Sequence, residues 1–298
     1  MHSRFTALEG YGEKEKEKLD SSTAAIVGLG ATGSVMAEHL ARHGVDLVLI
    51  DRDYLEENDL YSSNLYTREQ VGKGVPKAEA AKERLQELTG IEAHVESLSG
   101  RNVDLLEDAD IVLDGTDNLE TRFLLDEYSA RTGTPWMYTA AIAEKGYSML
   151  FKEKCFSCVF EEVRAGSLGT CETEGIMREV STLAATRSAL KAVQHLSGKE
   201  VEEVLETVPP GEKLEVECPG CEVCEKGNYP HLEGEGKMEA VCGENKFQLE
   251  REVDEDTFER LRRAGEVVAD NKYLTRVKVK GNSFALFRSG RAIIEARN

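Results

Sequence analysis

No run in this sequence approaches the roughly 20 consecutive apolar residues that a membrane-spanning helix needs. The N-terminus MHSRFTALEG also lacks the apolar stretch of a signal peptide. These absences predict a soluble, cytoplasmic chain with no membrane partner. Positive charge is short as well: 37 lysines and arginines face 56 aspartates and glutamates, for a formal charge of -19. Binding a phosphate backbone depends on cations that displace condensed counterions, so nucleic acid is not expected as a partner. The surplus of acid reads as a well-hydrated surface. Internal repeats and long low-complexity segments are absent too.

What is present suffices for one full core and a second, smaller one: 298 residues, 40% of them hydrophobic. Short apolar runs at 24–27, 47–50 and 111–113 alternate with helix-like stretches, the pattern of buried parallel strands joined by crossover helices. Residues 78–88 predict one such helix, stopped by Gly90, and residues 182–196 another, followed by Gly198. Beyond Pro209 and Pro210 the composition changes to CPGCEVC and then to a linker rich in Gly, Glu and Lys. The tail carries a helix signal at 254–263 and alternating runs with a turn at Gly281-Asn282. The expected architecture is α/β: a doubly wound, Rossmann-like, mostly parallel sheet over residues 1–228, then a small α+β module over 238–298.

Gly28-Leu29-Gly30-Ala31-Thr32-Gly33 follows the first strand and opens a helix. There the glycines allow a tight turn and a close backbone approach, while the helix N-terminus offers unpaired N–H groups to a phosphate. Asp51 ends the next strand about 20 residues on, where a carboxylate can accept hydrogen bonds from ribose hydroxyls. Alone, these residues fit a dinucleotide-binding dehydrogenase as well as any other nucleotide enzyme.

Seven cysteines, several in C-x-x-C pairs, suggest metal before disulfides in a chain with no export signal. Cys155 and Cys158 form one pair, and the second is Cys221 with Cys224 or Cys218 with Cys221. Two pairs make a closed four-thiolate Zn2+ site, structural in kind because it leaves no position for water.

Further blocks decide the class. Pro76-Lys77 at a helix start, Asp114-Gly115-Thr116-Asp117-Asn118 at a strand end, and Thr170-Cys171-Glu172-Thr173-Glu174-Gly175 occur in this order. With the glycine turn they resemble the ubiquitin-activating-enzyme-like family, whose small members include the molybdopterin-synthase and thiazole-biosynthesis adenylyltransferases. The resemblance spans roughly residues 4 to 224. It implies that Gly28, Gly30 and Gly33 line the phosphates of ATP, that Asp51 holds the ribose, that Lys77 contacts phosphate and that Asp117 holds Mg2+. It places Arg4 in the active site of a neighbouring subunit, hence a homodimer. The family's proline two residues before the second pair selects Cys221 and Cys224, since Pro219 fits. Cys171 falls in a crossover loop, where a thiolate can attack an acyl adenylate or stand by as a bystander thiol. Arg122 either guides the incoming C-terminal tail or makes a surface ion pair.

One departure stands out. Where the family has Asn-Leu-x-Arg, this chain has Asp59-Leu60-Tyr61-Ser62, so Arg68, or Arg52 less favourably, is the candidate to supply the charge. Cys242 is expected as a small buried residue of the tail, and His39, His43 and His195 have no ligand-like spacing.

The implied reaction is ATP-dependent adenylation of the C-terminal glycine of a ubiquitin-fold, sulfur-carrier protein ending in Gly-Gly, for sulfur transfer or protein conjugation. Two other readings compete with it. One is an enzyme like the tRNA threonylcarbamoyladenosine dehydratases, and the other is a nucleotide-binding scaffold that has lost catalysis.

Overall fold

The structure, a computed structural model, describes residues 3–160, 175–234, 246–250, 253–288 and 290–295. Strand β1 (Thr23–Val27) lies at its centre because it is apolar on both faces, with Ala24, Ala25 and Ile26 fully buried. It pairs in parallel with β2 (Asp46–Ile50), which pairs with β3 (Ile91–His94). On its other side it pairs in parallel with β4 (Ile111–Asp114), followed by β5 (Trp136–Ile142). Three antiparallel strands, β6 (Lys145–Phe151), β7 (Leu205–Val208) and β8 (Lys213–Leu214), extend that edge. The order is β3-β2-β1-β4-β5-β6-β7-β8.

Side chains alternate across a strand, so each face of this sheet has its own core. Ile26, Leu47, Leu49, Ile111 and Leu113 pack under α3 (Gly33–Arg42), α6 (Lys77–Leu85) and α9 (Arg178–Leu196). Ala25, Val27, Val48, Ile50 and Val112 pack under α7 (Leu119–Thr132), beside a cluster of Trp136, Tyr138, Phe151 and Phe156. Short helices fill the connections: α1 (Ser3–Thr6), α2 (Glu13–Asp20), α4 (Asp59–Ser62), α5 (Arg68–Lys73), α8 (Phe156–Val159) and α10 (Pro230–Glu233). Helix α9 begins four residues before the expected 182, because its first turn, Arg178-Glu179, is polar and carries no apolar period.

The tail forms a second sheet, all antiparallel, in the order β10-β11-β12-β13-β9. Its strands are β9 (Lys246–Glu250), β10 (Glu266–Asp270), β11 (Leu274–Val279), β12 (Asn282–Phe287) and β13 (Arg291–Glu295). Helix α11 (Glu255–Ala264) covers it, capped by the Asp254 carboxylate, which accepts from the Thr257 N–H at 2.9 Å. The turn expected at Gly281-Asn282 sits one residue earlier. Lys280 and Gly281 have φ of 51° and 88°, and Asn282 already pairs with Val279. A two-residue type I′ hairpin requires positive φ at both central positions, and these two residues supply it. Among the described residues no helix is long and apolar enough to cross a membrane.

Candidate active site and metal centre

The chain leaves β1 towards β2 on one side and returns to β4 on the other. The crevice where the strand order reverses, at the carboxyl ends of β1 and β4, is where open α/β sheets bind ligands. The glycine turn occupies it. A Cβ on Gly33 would lie 1.8 Å from the Gly28 carbonyl oxygen, and one on Gly115 would lie 2.4 Å from the same oxygen. Gly28 itself has φ +84°. These glycines let three backbone segments touch, whereas a Cβ on Gly30 would meet nothing within 4 Å. The open side of the turn at Gly30 is where a phosphate can approach. Gly33→Ala is therefore expected to destabilise the fold by about 3 kcal/mol or more by overpacking, lowering the melting temperature. Gly30→Ala should leave the melting temperature unchanged and weaken ATP binding, because its methyl group would occupy the phosphate space. Equal melting temperatures for the two variants would contradict this division.

Asp51 is buried at the end of β2. Its carboxylate accepts from the Leu29 N–H of the glycine turn at 2.6 Å and from the Asp53 N–H at 2.7 Å. The Lys77 ammonium stands 3.2 Å from Asp59. Burial works against this ammonium, but Asp51, Asp53 and Asp59 outweigh it and hold the Lys77 pKa above its ordinary value. The Tyr66 hydroxyl donates to the Leu29 carbonyl at 2.6 Å, and burial, followed by the nearby Asp51, raises its pKa well above the usual phenol value. Burial likewise raises the Asp51 pKa from 3.8 to about 6, against the pull of Lys77.

A raised carboxyl pKa means that folding disfavours the ionised form. The fold therefore gives up stability as pH rises from 3.8 through about 6. Nucleotide binding needs the opposite state, because protonation turns one oxygen into a donor and weakens the carboxyl as an acceptor for ribose hydroxyls. The KM for ATP should rise as pH falls through about 6, as read from initial rates across a buffer series. A KM that stays flat across this range would exclude Asp51 from the ribose site.

In the Asp114–Asn118 block only part faces outward. Asp114 is buried, accepting from the Thr116 N–H at 2.8 Å and from Arg122 Nε at 2.8 Å. Arg122 Nη2 also donates to the Thr116 carbonyl at 2.7 Å. The ion-pair reading of Arg122 holds with one correction: the pair is buried and braces the loop, and does not lie on the surface. Asn118 caps α7, accepting from the Thr121 N–H at 2.8 Å, while Asp117 between these anchored residues is exposed.

Arg4 is exposed on α1, which is fastened by Phe5 packed edge-on against Tyr11 and His43. Arg68 is 76% exposed, 3.7 Å from Glu57, and Arg52 lies 4.0 Å from Asp53. Sequence reasoning missed Asp53 and Tyr66 near Lys77, and it noted Asp59 only as a departure. The Asp51-x-Asp53 spacing was the available signal. It also missed Arg178, whose guanidinium donates to Asn64 at 2.7 Å. Cys171 and Cys242 lie outside the described residues.

The sulfur atoms of Cys155, Cys158, Cys221 and Cys224 lie within 4.8 Å of one another. Cys155 is 3.7 Å from Cys221, Cys158 is 3.6 Å from Cys224, and Cys221 is 3.8 Å from Cys224. Tetrahedral Zn–S bonds of about 2.3 Å require sulfur atoms about 3.8 Å apart, so this donor set fits Zn2+. Disulfides would need about 2.05 Å. Burial pushes the thiols of Cys155 and Cys158 up, so a cation is needed to hold them as thiolates. Helix α7 supports both flanks of the centre. The Asp126 carboxylate accepts from the Phe156 N–H at 2.7 Å and the Ser157 N–H at 2.9 Å. Glu127 accepts from the N–H groups of His231 and Leu232 at 2.8 and 2.9 Å.

A glycine turn at the switch point, a largely buried lysine among carboxylates and a four-cysteine knuckle define a nucleotide-binding α/β protein with a cysteine-rich anchor. The chain belongs to the ThiF family, which it matches over residues 2–219. The sulfur carrier protein ThiS adenylyltransferase of Bacillus subtilis strain 168 is 32% identical, over 100% of this chain and 95% of that enzyme. The enzyme of the same description from Escherichia coli K12 is 30% identical, over 67% of this chain and 82% of that one. Among solved structures, E. coli MccB with MccA-N7isoASN has a TM-score of 0.65 at 18% identity, covering 75% of this chain and 73% of that one, a likeness of fold.

Proposed function

We propose that this chain is an adenylyltransferase that uses Mg-ATP to activate the C-terminal carboxylate of a ubiquitin-fold sulfur-carrier protein ending in Gly-Gly. The observation that carries this reading is the Lys77 ammonium held among Asp51, Asp53 and Asp59 beside a turn left open at Gly30. The adenylyltransferase relatives named above support it.

In the reaction a carboxylate oxygen of the carrier attacks the α-phosphorus of ATP. A P–O bond forms, the bond to the bridging oxygen breaks, and pyrophosphate leaves with the electron pair. Two anions must meet, so charge offset and positioning dominate the catalysis. The amides of the Gly28–Gly33 turn and the N-terminus of α3 cradle the phosphates. Asp51 accepts from the ribose, and Lys77 neutralises phosphate charge. Exposed Asp117 would hold Mg2+, which supplies further offset when bound. Arg4 of a second copy would complete the site, and Arg68, Arg52 or Arg178 would stand in for the arginine absent at Ser62. Exposed Leu183 and Leu190, seven residues apart on α9, support a homodimer by offering one apolar row to a second copy.

Cys171 would receive the acyl group in sulfur transfer or conjugation. The four cysteines would hold a structural Zn2+, and their thiolates suit a reducing compartment such as the cytoplasm. We place the adenylating domain at 1–228 and the C-terminal module at 238–298.

ATP–pyrophosphate exchange tests the reading. Exchange that requires a Gly-Gly-ended ubiquitin-fold protein supports it. Exchange that requires RNA favours the dehydratase alternative, and no exchange with any carrier favours the scaffold.

A further inference from the structure

The C-terminal module docks on the two segments that carry the nucleotide-site residues. Tyr54, three residues after Asp51, is buried in the module's own core with Ala269, Leu274, Ala285, Phe287 and Ile293. Its ring lies 6.2 Å from the Phe287 ring, and the Arg276 guanidinium sits over it at 4.9 Å. A residue of the loop that follows β2 in the larger domain thus completes the smaller core. The second segment is held by polar bonds. Asn271 Nδ2 donates to the Lys73 carbonyl at 2.9 Å, and the Tyr273 hydroxyl donates to Glu79 at 3.0 Å.

These segments are also joined to each other beneath the module. Tyr54 bridges to Pro76, the Leu55 N–H donates to the Val75 carbonyl at 2.8 Å, and the Lys77 N–H donates to the Asp53 carbonyl at 2.8 Å. Asp53 in turn donates its N–H to Asp51. The path from the module to the Asp51 carboxylate and the Lys77 backbone is a short series of packed rings and backbone bonds. Loops without a packed neighbour open at low cost, and packing on both sides raises that cost.

We infer that the C-terminal module is a brace for nucleotide binding, with Tyr54, Asn271 and Tyr273 as positioning residues that fix Asp51 and Lys77 before ATP arrives. The inference rests on the proposed nucleotide site. Preorganisation lowers the ordering cost of binding, so its loss appears in the affinity for ATP. The affinity for the carrier protein stays as it was, because none of these residues is placed at the carboxylate of the carrier.

The test uses the full-length chain in two forms. In Asn271→Asp with Tyr273→Phe, the aspartate keeps the acceptor for the Tyr273 and Leu274 N–H groups while both ties to the larger domain are lost. Tyr54→Ala removes the shared ring. Mg-ATP binding is measured by calorimetry, and KM and kcat are measured by pyrophosphate exchange. The expected result is a rise in the Kd and KM for ATP of about tenfold in the double variant and more in Tyr54→Ala, with kcat and the carrier KM within about twofold. The double variant guards against misfolding, since it changes two surface ties and leaves the module's core intact. ATP constants within twofold of the unmodified chain in the double variant would overturn the brace and leave the adenylation reading standing. An unmodified chain that binds no ATP would remove both.

Discussion

Replacing Lys77 with methionine will lower carrier-dependent pyrophosphate exchange by about 10²- to 10³-fold, the range seen when one preorganised charge-stabilising group is removed. The methionine keeps the apolar stem, so the loss reports on the ammonium. Stability changes too, in a direction set by the neighbours. Without the lysine, buried Asp51 and Asp59 lose their counter-charge, and the half-exposed Asp53 keeps Arg52 at 4.0 Å. Breaking a buried pair in this way costs about 3–5 kcal/mol when the remaining groups stay ionised. Asp51 has another outcome open to it. Lys77 currently pulls its pKa down against burial, so removing the lysine raises it further above about 6. The variant should therefore gain stability as the solution is acidified towards neutrality and below, because a group with a raised folded pKa stabilises in its protonated form. Thermal melts across pH would show this. A variant whose melting temperature falls steadily on acidification would mean that Asp51 and Lys77 are not coupled as described.

Substituting serine for Cys221 is expected to abolish metal binding and to lower the melting temperature by more than 10 °C, since a structural Zn2+ site contributes on the order of 10 kcal/mol to the folded form. Cys221 is within 3.8 Å of both Cys155 and Cys224, and its loss removes one vertex of the sulfur tetrahedron with its three edges. Cys218→Ser should keep a full complement of metal, because Cys218 lies outside the four-sulfur cluster. Metal analysis of natively purified protein distinguishes the two. Full zinc in Cys221→Ser would exclude both registers, whereas none in Cys218→Ser would show that Cys218 with Cys221 holds the ion.

The glycine turn and Asp51 are legible in sequence because their requirement is local. A turn that admits no Cβ at Gly33, and a carboxylate at a strand end, each follow from neighbours along the chain. The buried strands are legible because parallel pairing needs continuous apolar runs, which residues 24–27, 47–50 and 111–113 supply. Arg122 shows where this stops. Whether an arginine lies on the surface or under a loop depends on how α7 packs against the sheet, and that contact has no signature in the residues around it. The gathering of Asp53, Asp59 and Tyr66 around Lys77 is hidden for the same reason, since the segment from 51 to 77 carries no regular period. In the tail, alternation reveals strands, but only the structure shows Tyr54 inside the module's core.

Adjacent positions on a helix point about 100° apart, so Asp126 and Glu127 must reach in different directions. One holds the backbone around Ser157, and the other holds the start of α10 at His231. The stretches entering and leaving the four-sulfur knot are thus tethered independently to one rigid rod. Because both ends are held this way, strain in the connection across residues 225–229 is borne by α7 and is not passed to the sulfur atoms.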